Sequence, residues 1–275
     1  MTAKSDAAIV TGAGSGLGRA MTLGLLDAGY TLLGVDKEEP FLEDLSAAAK
    51  GKAGTLFTLH ADLADPSAFA KIVGSALARF GRIDVLVNNA GVGQGSVRAD
   101  QRRNPIRFWE VSADDWARFL AVNATAPLMM ARAVVPHMLA RKKGRIVTVT
   151  TSLGTMLRRG YILYGASKAA AEAATAVMSA DLEGSGVTAN VLVPGGMADT
   201  RIIPDGAVAD RSRLLRPEIM VAPLLWLLSE AAATVNGRRF IAAHWDRNLP
   251  PAEAAEKSGA PIAWKAIATM PIEPD

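Results

Sequence analysis

Tyr164 and Lys168 stand four residues apart in the stretch YILYGASKAAAEAATAVMSADL, which runs from Tyr161 to Leu182. On a helix that spacing puts a phenol and an ammonium on one face, one turn apart. A free tyrosine has a pKa of about 10 and is a poor base at neutral pH. A fixed cation beside it favours the phenolate, which would suit the pair to moving a proton to or from an alcohol. A surface tyrosine beside a surface lysine has the same spacing, so other residues must decide between the two readings. The segment TGAGSGLGRA, residues 11–20, could hold a phosphate. Its spacing, Gly12-x3-Gly16-x-Gly18 with Ser15 and Leu17 between, is not the GxGxxG of the commonest dinucleotide turn. Glycines nevertheless let backbone approach a pyrophosphate, and the start of a following helix faces negative charge. Asp36, about 20 positions on, is placed to accept from the two adenosine-ribose hydroxyls and to repel a 2′-phosphate. Lys37 softens that repulsion. NAD is therefore expected rather than NADP, although an acidic residue opening an ordinary turn has the same signature.

The elements that must position these groups alternate along the chain. Apolar runs at Ala7–Thr11, Thr31–Val35, Thr55–His60, Asp84–Val87, Arg145–Thr150, Thr188–Val193 and Arg239–Ala243 read as seven strands. Helices are expected from the glycine turn to about Ala28, over Pro40–Lys50, Ser67–Phe80, Ser112 to about Ala140, the Tyr164 stretch and Pro217–Ser229. Ser112 with Asp115 reads as a capping pair, and Pro127 marks a possible kink. The pattern implies an α/β fold: a doubly wound, seven-stranded parallel sheet with helices on both faces. Ligands bind such a sheet beyond the carboxyl ends of its strands. The glycine turn, Asp36, Asp62, Asn88-Asn89-Ala90-Gly91, Thr151-Ser152 and Pro194-Gly195 all follow directly after strands, so they should gather along one edge. The Asn-Gly segment also suits a plain turn.

At 275 residues, half of them hydrophobic, the chain is expected to form one domain spanning 1–275. Without cysteine there are no disulfides or thiol chemistry, which fits a cytoplasmic location. His60, His137 and His244 are scattered, so no metal site is expected. The N-terminus MTAKSDAAIV lacks an apolar signal core, no run approaches a membrane span, and a net charge of +3 does not by itself suggest nucleic acid. Residues 92–111 carry Arg98, Arg102, Arg103 and Arg107 beside Phe108 and Trp109. They form either a solvated loop or a basic, aromatic rim. Met197 to Arg216 looks irregular and suits a lid. The tail, 244–275, has four interior prolines with Trp245 and Trp264, and is expected to pack rather than hang free.

Taken together, TGAGSGLG, Asp62, Asn88-Asn89-Ala90-Gly91, Asn123, Thr151 or Ser152, Tyr164-x3-Lys168 and Pro194-Gly195 resemble the short-chain dehydrogenase/reductase family over roughly residues 5 to 243. The resemblance implies a Rossmann-type sheet, a nicotinamide cofactor and a homo-oligomer, dimer or tetramer. It implies that Tyr164 is the general acid/base, that Lys168 lowers its pKa and bonds the nicotinamide ribose, and that Asn123 holds a relay water. Asp62 would contact the adenine amino group, with Leu63 next to it. Asn88, Ala90 and Gly91 would line the adenosine ribose, and Pro194, Gly195, Met197 and Thr200 the carboxamide and pyrophosphate. The family places a serine 13 residues before the tyrosine, and here that position is Thr151. Its hydroxyl can still donate to a substrate oxygen, with Ser152 as the alternate. The expanded 92–111 segment and the tail also depart from the family. The implied activity is reversible, NAD-dependent oxidation of a secondary alcohol to a ketone. Leu153, Met156, Leu157, Ile162, Met197, Ile202 and Ile203 around the expected pocket favour an apolar or aromatic substrate. The alternatives are a 3-oxoacyl-thioester reductase, for which the arginines speak, and a nucleotide-binding regulatory protein without turnover, for which the threonine speaks.

Overall fold

The computed structural model describes residues 6–204 and 206–264. Residues 1–5, Asp205 in the lid segment and the end of the tail from 265 onward, with Pro271, lie outside the described residues.

Short aliphatic and β-branched runs form β1 (Ala7–Thr11), β2 (Thr31–Asp36), β3 (Thr55–His60), β4 (Val85–Asn88), β5 (Gly144–Val149), β6 (Val187–Val193) and β7 (Arg238–Ile241). β1, β4, β5 and β6 are buried along their whole length, as strands covered on both faces must be. These seven strands are mutually parallel, in the order β3-β2-β1-β4-β5-β6-β7. The order runs outward in one direction from β1 and in the other from β4. A crevice therefore opens beyond the carboxyl ends of these two neighbours. An eighth strand, β8 (Gly259–Pro261), adds to the seven that the sequence predicts, and it runs antiparallel along the edge of β7. The tail supplies it. Pro250 and Pro251 start helix α9 (Pro251–Ser258), which returns the chain to the free edge.

Strand residues alternate between two cores. Ile9, Leu33, Leu86 and Ile146 face α3 (Ala68–Phe80) and α5 (Ala126–Leu139), where they meet Ile72, Met130 and Val134. Val10, Leu32, Val87 and Val147 face α1 (Gly16–Asp27), α2 (Glu39–Ala48) and α8 (Val221–Leu228), where they meet Leu25, Leu45 and Leu224. The described part of the tail, up to residue 264, packs against the domain. Trp245 lies 5.9 Å from Trp226, and Ile262 closes a small cluster with Val191 and Val193.

The expected helix from Ser112 to Ala140 is divided. α4 (Ala113–Leu120), capped by Ser112 accepting from the Asp115 amide, passes into a π-helical turn over Ala121–Thr125 and then into α5. Pro127 explains the turn: it has no N–H for the carbonyl four residues back, which is that of Asn123, and its ring crowds that carbonyl. Ala113–Leu139 is by length and composition apolar enough to cross a membrane, which the count of uninterrupted apolar residues missed. Here Phe119, Met130, Val134 and Met138 on it are buried in the protein.

α6 (Leu153–Met156) and α7 (Ile162–Asp181) follow β5. The segment after β6 is irregular, as expected, and its ends are pinned together. Ala198 bridges Leu215, and Asp199 pairs with Arg211 at 2.7 Å and with Arg216 at 3.5 Å.

Candidate active site

The carboxyl ends of the parallel strands open into a groove of about 770 Å³. At its head lies the glycine turn. Gly12 has φ +63, and a Cβ there would stand 2.8 Å from Ala90 Cα. A Cβ on Gly18 would stand 1.9 Å from the Gly12 carbonyl oxygen. Only glycine fits either place, so this turn is a cradle with backbone on its surface. Ser15, Gly16 and Leu17 line the groove, and Gly18 lies behind Gly12, against its carbonyl and the Asn89 side chain. Asp36, at the end of β2, accepts from the Gly14 amide at 2.9 Å and from the Glu38 amide at 3.2 Å. Lys37 lies 3.9 Å from Glu38, and the Arg201 guanidinium sits 4.0 Å above the Phe41 ring close by. Asp62 and Leu63 line the same end. The Asp62 carboxylate accepts from the Ala64 amide at 2.8 Å.

Ala90, Gly91, Pro194, Gly195, Met197 and Thr200 also line the groove, and Thr200 touches the space a Gly16 Cβ would take. Two expected residues stand behind the wall instead. Asn88 is buried and donates to the Pro127 carbonyl at 3.1 Å. Asn123, on the π turn, accepts from the Val92 amide at 2.8 Å. It donates to the Val92 carbonyl and to Ser167 Oγ, each at 3.0 Å. Ser167 in turn donates to the Tyr164 carbonyl at 3.0 Å. Asn123 thus ties the loop after β4 to the tyrosine helix.

Tyr164 and Lys168 both face the groove from α7. Thr151 lines the groove with them, and its side chain draws the Tyr164 phenol's pKa down. Ser152 instead caps α6, accepting from the Thr155 amide at 3.2 Å and sharing a 2.7 Å contact with the Thr155 hydroxyl. The Lys168 ammonium is buried, donates to the Val149 carbonyl at 2.9 Å, and lies 3.4 Å from where a Cβ on Gly91 would be. The expected depression of the phenol pKa by Lys168 is not what the surroundings produce. Burial pushes Tyr164 up to about 12, with the Thr151 hydroxyl pulling the other way, and burial pushes Lys168 down to about 8. Desolvation favours the neutral form of each group and is the largest cause of both shifts.

The apolar residues expected around the pocket divide in the same way. Met197, Ile202 and Ile203 line the groove. Met156, Leu157 and Ile162 line a separate cavity of about 630 Å³ with Phe108 and Trp109, and Leu153 lines neither. The arginine cluster of 92–111 is likewise divided. Arg102 lines the groove against Met197 Sδ, Arg107 lines the second cavity, and Arg98 pairs with Glu110 at 3.3 Å.

A family model described as short chain dehydrogenase matches residues 6–205. The chain belongs to the short-chain dehydrogenase family. It is 33% identical over 206 residues to a short chain dehydrogenase of Pseudocercospora fijiensis, spanning 75% of this chain and 64% of that relative's length. It is 28% identical to a 3-oxoacyl-[acyl-carrier-protein] reductase of Thermotoga maritima, over 86% of this chain and 96% of the relative. A solved putative NAD(P) dependent gluconate 5-dehydrogenase from Beutenbergia cavernae, with bound NADP, superposes with a TM-score of 0.74 at 33% identity, covering 86% of this chain and 94% of its own. The protein is thus an oxidoreductase of this family, with a nicotinamide cofactor and an alcohol or ketone as its type of substrate.

Residues that the sequence reading passed over hold this dehydrogenase's site together. Thr11 Oγ1 accepts from the Asn89 and Ala90 amides at 3.0 and 3.1 Å, and Asn89 Nδ2 donates to the Thr11 and Gly12 carbonyls at 3.0 and 3.1 Å. Both residues lie inside motifs quoted for their glycines. Gln94 is buried, accepts from the Tyr164 amide at 3.3 Å and donates to the Gly160 carbonyl at 2.5 Å. No periodicity marks it, because it comes from the irregular expanded segment.

Proposed function

We propose that this dehydrogenase catalyses the reversible, NAD-dependent oxidation of a secondary alcohol to a ketone. The observation that carries the reading is that Thr151, Tyr164 and Lys168 line one groove together with the glycine cradle. A substrate oxygen placed between Thr151 and Tyr164 would accept from the first and exchange its proton with the second, from atoms already held in position. Lys168 stands on the same face, and with a pKa near 8 it can give or take a proton close to neutral pH. Asn123 fixes the loop that passes over Lys168, and Ser152, spent on its helix cap, is left out of the chemistry.

The cradle fits a dinucleotide, since side chains are excluded from Gly12 and Gly18 and the Asp36 carboxylate stands at the end of β2. Gly12, Ser15, Gly16 and Leu17 would hold its pyrophosphate, with Asp36, Lys37, Ala90 and Gly91 at the adenosine ribose and Asp62 and Leu63 near the adenine. Pro194, Gly195, Met197 and Thr200 would hold the nicotinamide end. Bound there, the cofactor supplies a hydride acceptor. Asp36 favours NAD over NADP through repulsion of a 2′-phosphate, although the solved relative from Beutenbergia cavernae carries NADP. Met197, Ile202 and Ile203 suit an apolar alcohol. We read the chain as one domain, with 92–111 framing the substrate end and 197–216 closing over it.

A second reading is favoured by Arg102 and Arg158. Both line the groove, and no carboxylate partners either among the described residues. They suit a substrate with an anionic group, such as a carboxylate, or a 3-oxoacyl thioester on a negatively charged carrier. A panel of neutral alcohols, hydroxy acids and 3-oxoacyl thioesters, run with both cofactors, separates the two readings. Tyr164→Phe should abolish turnover of whichever substrate reacts while NADH binding, followed by fluorescence, stays intact. Turnover at the parent rate would remove Tyr164 as the acid/base.

A further inference from the structure

Three consecutive residues leave β5 for the site, and each is gripped by a charged side chain. Lys168 donates to the Val149 carbonyl at 2.9 Å, Thr150 Oγ1 donates to Glu172 Oε2 at 2.5 Å, and Arg239 Nη2 donates to the Thr151 carbonyl at 3.0 Å. Glu172 is fully buried and Arg239 is 5% exposed. They pair with each other, Arg239 Nε to Glu172 Oε1, at 3.0 Å. The third donor to the carboxylate is the backbone N–H of Ala263, at 3.1 Å, which comes from the tail.

A buried ion pair of this kind is a poor source of stability, because desolvating two charges consumes most of their attraction and apolar side chains fill such a space as well. Its position says more than its energy. Glu172 is one helical turn beyond Lys168 on α7, and Arg239 sits on β7 where Ala260 of β8 pairs with it. Ala263 holds φ +53, a left-handed conformation unusual for a residue with a Cβ, and in it the amide meets Glu172. Ile262 anchors that turn against Val191 and Val193. A continuous path therefore runs from the tail through Ala263, Glu172 and Arg239 to the backbone of Thr151.

We propose that Glu172 and Arg239 are positioning residues that hold Thr151 against Tyr164, and that the tail segment 259–263 completes the site through them. The proposal rests on the roles given to Thr151 and Tyr164 above. An error of about 1 Å in placing a catalytic group can cost about a hundredfold in rate. Arg239→Gln should therefore lower kcat by about ten- to a hundredfold with NADH affinity unchanged.

The deciding comparison places Arg239→Gln in two backgrounds, the parent and Thr151→Val. If Arg239 acts through Thr151, its effect on kcat vanishes once the hydroxyl is gone. An equal loss in both backgrounds, or an unchanged kcat in the parent, overturns the proposal. Arg239→Lys carries the same comparison where the glutamine variant does not fold, since it keeps a cation but not the fork that reaches both Glu172 and Thr151. A second readout needs no turnover. Glu172→Gln should speed amide hydrogen exchange in both the 148–152 and 259–263 peptides, and unchanged exchange in either overturns the coupling. A parent protein that oxidises or reduces nothing in the panel would sink the enzyme reading alone, because the exchange result still decides whether the pair links tail and site.

Discussion

The chemistry at the scale of single residues turns on how a phenol and an amine behave when both lose water. Burial favours the neutral form of each, and it takes Tyr164 up to about 12 and Lys168 down to about 8. Thr151 is the group that works for the phenolate, since its side chain draws the phenol's pKa down. Removing its hydroxyl must move the phenol further up. Thr151→Val, nearly the same in shape, should shift the group that limits alcohol oxidation at alkaline pH upward by about one unit. A pH–rate profile of kcat/KM for the two proteins reads this directly. A profile that stays put would mean that the hydroxyl orients substrate without acting on the phenol.

Among the elements, the π turn at Ala121–Thr125 shows how one proline serves a site. Without Pro127 the helix from Ser112 could run unbroken, and Asn123 would have no reason to leave the helical pattern. With it, Asn123 turns both ends of its amide onto Val92 and one of them also onto Ser167. Asn123→Ala would orphan the backbone amide and carbonyl of Val92 together. We expect a loss of about 2–3 kcal/mol in denaturant unfolding, with faster amide exchange across 92–111. Stability equal to the parent would mean that water replaces the side chain at no cost. Much of this scale could be read in the sequence. All seven parallel strands and the Tyr164 helix follow from apolar runs and turn residues, and the glycine cradle follows from its place between a strand and a helix. What could not be read is whatever depends on packing between distant segments. Gln94, Glu172 and Arg239 carry no local pattern, and their partners lie between 22 and 91 positions away, fixed only by how distant segments meet. The pKa of Tyr164 was misjudged for the same reason: spacing gives the neighbour but not the burial.

For the whole molecule, a site built around a desolvated cation has a thermodynamic signature. Lys168 titrates near 8 in the folded chain and at about 10.5 when unfolded. Between those values the unfolded chain keeps a proton that the folded chain has released, so unfolding becomes less favourable as pH rises. The contribution is fully present above the unfolded value and is lost as pH falls through the folded one. Its size is about 3 kcal/mol across the window. Tyr164 and Tyr30, both raised to about 12, act in the opposite sense above about pH 10, where the unfolded chain begins to release phenolic protons that the folded one retains. The useful range is therefore about pH 8 to about pH 10. Denaturant unfolding of the parent and of Lys168→Met at fixed pH steps isolates the lysine, since other groups cancel in the difference. The parent should gain on the variant steadily through that range, with m-values unchanged. A difference that stays flat with pH would show that Lys168 keeps its ordinary pKa, and with it that the groove mouth is wetter than its buried ammonium and carbonyl contact imply.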